Sequence, residues 1–360
     1  MRRVYKNAVV GGKIQDIVTE EGKIAFVGEV RDPGINLLGK ALRPGLYDIH
    51  CHGCMGEDAG TGEKAVLRMA KEMGKRGITS FLPTLGTISE EDIARAVCRV
   101  PKTEGAKVRG FHMEGPYIAL SRKGAQDPRY VLTPEGRSMK EYPTVRLVNV
   151  APEIPGAEDF IRQAVSRGVR VALGHTDADY DTCRRAFAAG ATSLTHTFNA
   201  MPGFFHRAPG PVGAALTGDG YVQVIADGIH LHPAVILGLY RMFGASRMIL
   251  ISDMIPPCGL PDGETFSLGL PVTVKNGEAR LHDGTLAGSS VFLDDMVRRA
   301  ISFGIPTEDA FRMASETPAA YMGDLCGKIE IGFDADFGVW DGLSLLGTVV
   351  DGEPAPGFPF

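Results

Sequence analysis

No stretch of this sequence stays apolar for anything near the ~20 residues that a membrane-spanning helix needs, so a membrane protein is not expected. Met1-Arg2-Arg3 is basic, but Val4-Tyr5-Lys6-Asn7 follows where a secretory leader would carry its apolar core, and a cytoplasmic location is expected. Cysteine is scarce. Six in 360 residues read as reduced thiols rather than a disulfide framework. Cys51-x-x-Cys54 has a redox-like spacing, yet no thioredoxin-like context surrounds it. Charge of one sign is also lacking: the net charge is −5, with acidic and basic residues intermixed. That balance sets aside nucleic acid and anionic membrane as the main partners. No Gly-x-Gly-x-x-Gly follows the early strand-like runs, which argues against a dinucleotide-binding doubly wound sheet.

What is present suffices for a large core. The chain is 44% hydrophobic and 22% charged, and its length fits two domains or one barrel-sized domain with an appendage. Residues 1–43 read as short strands with tight turns, such as Ala8-Val9-Val10 followed by Gly11-Gly12. The end of the chain, 325–360, has the same texture. Neither piece can bury a core alone, so the two are expected to pair into one small β-sandwich domain.

Residues 44–324 keep a different rhythm. Apolar runs at 46–52, 78–84, 108–114, 145–150, 169–175, 192–197, 221–227 and 248–253 alternate with helical patterns at 64–75, 93–100, 160–166, 183–189 and 234–243. About eight βα repeats specify an α/β fold, a (β/α)8 TIM-like barrel, whose strand ends converge on one face where active sites sit.

The strand ends carry the chemistry. The first run ends His50-Cys51-His52, and on an extended strand the two imidazoles share a face. The third ends His112-Met113-Glu114, the fifth Gly174-His175, the sixth Thr195-His196-Thr197, and the eighth Ser252-Asp253. Taken singly, each histidine is more readily a hydrogen-bonded core residue. Together, His50, His52, His175 and His196 with Glu114 and Asp253 at strand ends make the ligands and the general base of a metal-dependent hydrolase.

With these residues in place, the chain resembles the amidohydrolase superfamily and, within it, the N-acetylglucosamine-6-phosphate deacetylases. The resemblance runs over nearly the whole chain and rests on Pro44-Gly45-Leu46-Tyr47-Asp48-Ile49-His50-Cys51-His52-Gly53, His112-Met113-Glu114-Gly115-Pro116, Lys123-Gly124-Ala125 and Thr195-His196-Thr197-Phe198-Asn199-Ala200-Met201. Arg207-Ala208-Pro209-Gly210, Ala226-Asp227-Gly228-Ile229-His230 and Leu286-Ala287-Gly288-Ser289 extend it. It implies that Glu114, His175 and His196 hold a divalent metal, zinc by expectation, and that His50 and His52 with Glu114 could bind a second ion, giving one or two per subunit. It implies that Asp253 handles protons, and that Asn199, Ala200, Arg207 and His230 contact an amino-sugar phosphate. Gln126 stands where the family usually has a histidine that helps polarise the substrate carbonyl; an amide can donate there but cannot carry positive charge. Loop residue Arg207 is expected to reach a neighbouring subunit's site, hence a homodimer. The implied reaction is deacetylation of N-acetylglucosamine 6-phosphate. Its alternatives are another N-acetylated sugar phosphate, such as N-acetylgalactosamine 6-phosphate, or a catalytically silent barrel serving as a scaffold.

Overall fold

A computed structural model describes residues 1–360. At its centre lie β1 (Leu46–Cys51), β2 (Ile78–Leu85), β3 (Phe111–Met113), β4 (Val145–Val150), β5 (Arg170–Leu173), β6 (Ser193–Leu194), β7 (Tyr221–Ile225) and β8 (Met248–Ile251). Each pairs in parallel with the next. Runs such as Met248-Ile-Leu-Ile251 are buried throughout, as strands covered on both faces must be. No ladder joins β8 to β1. The gap is bridged at the rim instead, where the Asp253 N–H donates to the His50 carbonyl at 2.9 Å and the Ser252 N–H reaches Asp48 Oδ1 at 3.3 Å. The expected third strand is shorter than its apolar run, because Lys107–Val108 pairs separately with β2 and Gly110, at φ 129°, breaks the chain before Phe111. The sixth also stops early, at Leu194.

The helical patterns become helices over Glu63–Gly74, Glu90–Ala96, Ala157–Ser166, Tyr180–Ala189 and Pro233–Phe243. Tyr180–Ala189 shows why. Asp179 accepts a hydrogen bond from the Thr182 N–H at its start, and Cys183, Ala186 and Ala189 bury one stripe. Gly190, at φ 117°, then ends it in a left-handed turn. No helix is long and apolar enough to cross a membrane.

The chain ends pair into one continuous eight-stranded sheet. Its two halves join where Ala41–Pro44 runs antiparallel to Phe337–Asp341, with Val339 opposite Leu42. Tyr5, Ile17, Leu42, Phe337 and Val349 form its core. Ion pairs tie this sheet to the base of the barrel: Lys107 Nζ lies 2.7 Å from Asp336 and 2.6 Å from Asp351, and Arg109 pairs with Asp334 and Asp336. Between β8 and the helix Leu293–Ser302, residues 263–289 fold into a four-stranded antiparallel sheet over the C-terminal rim of the barrel.

Candidate metal centre and substrate cavity

The strand ends bring the expected ligands together by an unusual use of backbone. His175, His196 and Asp253 each follow a strand and adopt left-handed φ values of 48°, 26° and 49°. Phe198 and Ala200, in the same block as His196, do likewise at 75° and 49°. Non-glycine residues avoid this region unless their surroundings hold them there, and such residues gather at functional sites.

Glu114 is the hub. Its Oε1 lies 3.3 Å from His175 Nε2, 3.0 Å from His196 Nε2 and 3.2 Å from His50 Nε2. Its Oε2 lies 3.2 Å from His52 Nε2. Asp253 Oδ1 is 3.3 Å from His50 Nε2 and 3.4 Å from His52 Nε2. Two donor sets result, one of Glu114, His175 and His196 and one of His50, His52, Glu114 and Asp253, all of them buried.

His175 Nδ1 donates its N–H to the Arg122 carbonyl at 2.7 Å, so Nε2 is the nitrogen that faces the other donors. It lies beside a Glu114 oxygen and 3.0 Å from His196 Nε2. A backbone carbonyl on the far ring nitrogen is the usual support of a metal-binding histidine. The two imidazoles and a carboxylate therefore fit a divalent cation. In the second set the facing carboxylates stabilise positive charge. Burial lowers His50 and His52, but the carboxylates of Asp253 and Glu114 outweigh it and push the rings up to about 10 and about 9. Burial raises Glu114 and Asp253, and the facing histidines overcome it, holding both well below the usual carboxylate range. His112 packs its ring 4.6 Å from that of His50, behind the ligands.

Above them opens a cavity of about 520 Å3, within the ~300–1,000 Å3 usual for small-ligand sites. His52, Glu114, His175, His196 and Asp253 line it, as do Asn199, Ala200, His230 and Gln126. Asp227 accepts from His230 Nδ1 at 2.6 Å. Burial lowers the His230 ring, but that hydrogen bond and the Asp227 charge leave it raised. Gln126 is locked in place: its Oε1 accepts from the Thr87 N–H at 2.6 Å while its amide nitrogen donates to Glu114 Oε2. Arg207 is elsewhere. It is exposed on a loop beside exposed Phe204 and Phe205 and lines a separate cleft with Asp179 and Tyr180. Within one chain it does not reach the cavity.

The roof of the cavity comes from outside the strand-and-helix repeats that the sequence displays. Leu268, Val272, Leu281, Leu286 and Ala287, all from the sheet over 263–289, form most of the apolar lining, with Lys123 and Asp283 as charged neighbours. Turn signals such as Asn276-Gly277 mark that sheet locally, at φ values of 53° and 78°. Nothing local says where it folds.

Comparison with known proteins agrees with this architecture. The model of a family described as "Amidohydrolase family" matches residues 41–356. The chain is 34% identical to the N-acetylglucosamine-6-phosphate deacetylase of Bacillus subtilis over 354 residues, covering 92% of this chain and 88% of that protein. It is 36% identical over 295 residues to the N-acetylgalactosamine-6-phosphate deacetylase of Escherichia coli O157:H7, covering 78% of each. The crystal structure of the N-acetylglucosamine-6-phosphate deacetylase of Thermotoga maritima superposes with a TM-score of 0.90 at 30% identity, over 98% of this chain and 99% of that one.

Proposed function

The chain belongs to the amidohydrolase family, and within it we propose that this enzyme removes the acetyl group from N-acetylglucosamine 6-phosphate, releasing glucosamine 6-phosphate and acetate. The observation that carries the reading is Glu114, which faces His175 and His196 on one side and His50 and His52 on the other, with Asp253 opening into the same cavity. The principal site is assigned to Glu114, His175 and His196, and a second to His50 and His52 with Glu114. Zinc is the ion that suits nitrogen and carboxylate donors at such a site. When bound, it lowers the pKa of its water to ~7 and polarises the amide carbonyl.

The remaining work falls to the protein. Asp253 accepts a proton as the water oxygen bonds to the acetyl carbon, then delivers it to the nitrogen as the C–N bond breaks, so that the amine departs neutral. One carboxylate serves both transfers. His230, its ring held by Asp227, and Asn199 and Ala200 orient the sugar phosphate along the cavity wall. Gln126 offers Glu114 one amide proton and has a second for the substrate carbonyl. Arg207 is assigned to the phosphate of a neighbouring subunit's substrate, in a homodimer that would also cover Phe204 and Phe205. The catalytic unit is placed at residues 44–324, the small β domain at 1–43 with 325–360, and the enzyme in the cytoplasm. A silent scaffold would be expected to have lost ligands, and here the full set is retained.

The test is acetate release from N-acetylglucosamine and N-acetylgalactosamine, each with and without the 6-phosphate, with metal content measured on the same preparation. Acetate from the phosphorylated gluco epimer is expected to dominate, and Arg207→Ala should raise KM for phosphorylated sugar far more than for its unphosphorylated analogue. Equal turnover with and without phosphate would overturn the substrate assignment.

A further inference from the structure

The hairpin formed by Gly263–Ser267 and Leu270–Lys275 turns through Leu268 and Gly269, at φ values of 50° and 75°. Such two-residue turns favour Asn-Gly, because both central residues need left-handed backbone. Leucine is strained there. Its side chain is nevertheless placed with purpose: it reaches over Gly86, where an added methyl would fall 2.4 Å from Leu268 Cδ1 and 2.9 Å from Gln126 Oε1. Gln126 in turn is bonded to Glu114, so Leu268 lies at the metal-ligand end of the cavity. Ile255, Val272 and Ala287 continue the apolar surface beside Asp253; a methyl on Gly288 would fall 2.7 Å from Ile255 Cγ2 and 2.8 Å from the Asp253 carbonyl.

An N-acyl sugar phosphate has one truly apolar end, the carbon chain of its acyl group. That chain is bonded directly to the carbon undergoing attack, so when this carbon sits between Asp253 and the metal ligands, the chain must lie against the nearest apolar wall. We propose that Leu268 is the residue that sets the largest acyl group the enzyme accepts, the hairpin tip closing the far side of an acetyl-sized subsite. This inference rests on the deacetylase reading above.

The experiment compares kcat/KM for N-acetyl-, N-propionyl- and N-butyrylglucosamine 6-phosphate in wild type, Leu268→Ala and Leu268→Gly. Glycine is at home in this turn, so that variant keeps the hairpin while removing the branched side chain. A hydrophobic pocket discriminates a single methylene by roughly 10–200-fold. In both variants the butyryl-to-acetyl ratio of kcat/KM should therefore rise by about tenfold or more. A merely structural role would depress all three substrates together and leave the ratio in place. Ratios within about twofold of wild type, well short of one methylene's discrimination, would overturn the inference while acetate release continues. Absence of acetate, propionate and butyrate from the respective substrates in the wild-type enzyme would overturn the deacetylase reading, and this inference with it.

Discussion

At the residue scale, the consequence of Glu114 facing both donor sets is that its loss cannot be confined to one of them. Glu114→Ala should remove most of the bound metal and nearly all activity, whereas replacing His50 and His52 together should remove at most a second equivalent. Metal analysis of the purified variants checks this, and full metal content in Glu114→Ala would sink the ligand assignment. Asp253 is separable from the donor set of Glu114, His175 and His196, to which it does not belong. Asp253→Asn keeps the size and the hydrogen-bonding reach but removes the proton acceptor. General acid–base catalysis contributes ~10²–10⁴ in rate, and a residue serving both transfers should cost the upper part of that range. The loss should fall on kcat with substrate binding nearly unchanged, as for an interaction made only in the transition state. A variant keeping more than about a tenth of wild-type kcat, far outside that range, would mean that another group, His230 first among candidates, is the base.

At the element scale, the sheet over 263–289 is joined to β8 by a close backbone fit. The Ser289 N–H donates to the Asp253 carbonyl at 2.8 Å, and the Ile255 N–H donates to the Ser289 carbonyl at 3.0 Å. Gly288, between them in space, has φ 73° and no room for a side chain, since a Cβ would meet Ile255 and the Asp253 carbonyl. Gly288→Ala combines a left-handed backbone with a clash, a substitution that typically costs more than ~1 kcal/mol. It should lower the thermal midpoint and displace Asp253, so acetate release should fall while metal content, proposed to depend mainly on Glu114, His175 and His196, stays near wild type. Thermal unfolding, metal analysis and steady-state rates on one preparation check it. Unchanged kinetics would show that the roof is not mechanically tied to the base.

At the scale of the whole molecule, strand pairing joins the two chain ends to each other, and charge fastens them to the barrel. Burial raises Asp334, but hydrogen bonds from Lys23 and Arg109 and the nearby charge of Lys107 outweigh it and bring it down to about 2. A carboxylate whose folded pKa is depressed adds stability above its unfolded value of ~3.9 and loses it as pH falls. The contribution of Asp334 should therefore be complete at neutral pH and vanish between about pH 4 and about pH 2. Urea midpoints for wild type and Asp334→Asn should converge across that window. Curves separated by the same amount at pH 6 and at pH 2 would assign the effect of Asp334 to packing rather than charge.

What the sequence determined by itself was periodic or local. Alternating strand and helix patterns, read at barrel spacing, led to eight parallel strands, because apolar periodicity is written in neighbouring residues. His50, His52, Glu114, His175, His196 and Asp253 were legible because each is a polar residue closing an apolar run, which a barrel gathers on one rim. Tertiary structure decided what depends on contacts between distant segments. That Glu114 is shared, that Gln126 is turned by the Thr87 N–H, and that Arg207 lies outside the cavity of its own chain follow from how the loops pack. The left-handed backbone at His175, His196 and Asp253 contradicts the local preference of those residues, so only the surrounding fold could impose it. The same holds for the roof. Asn276-Gly277 announces a hairpin, but bringing Leu268 onto Gly86 joins residues far apart in the chain, and no periodicity encodes a meeting at that distance.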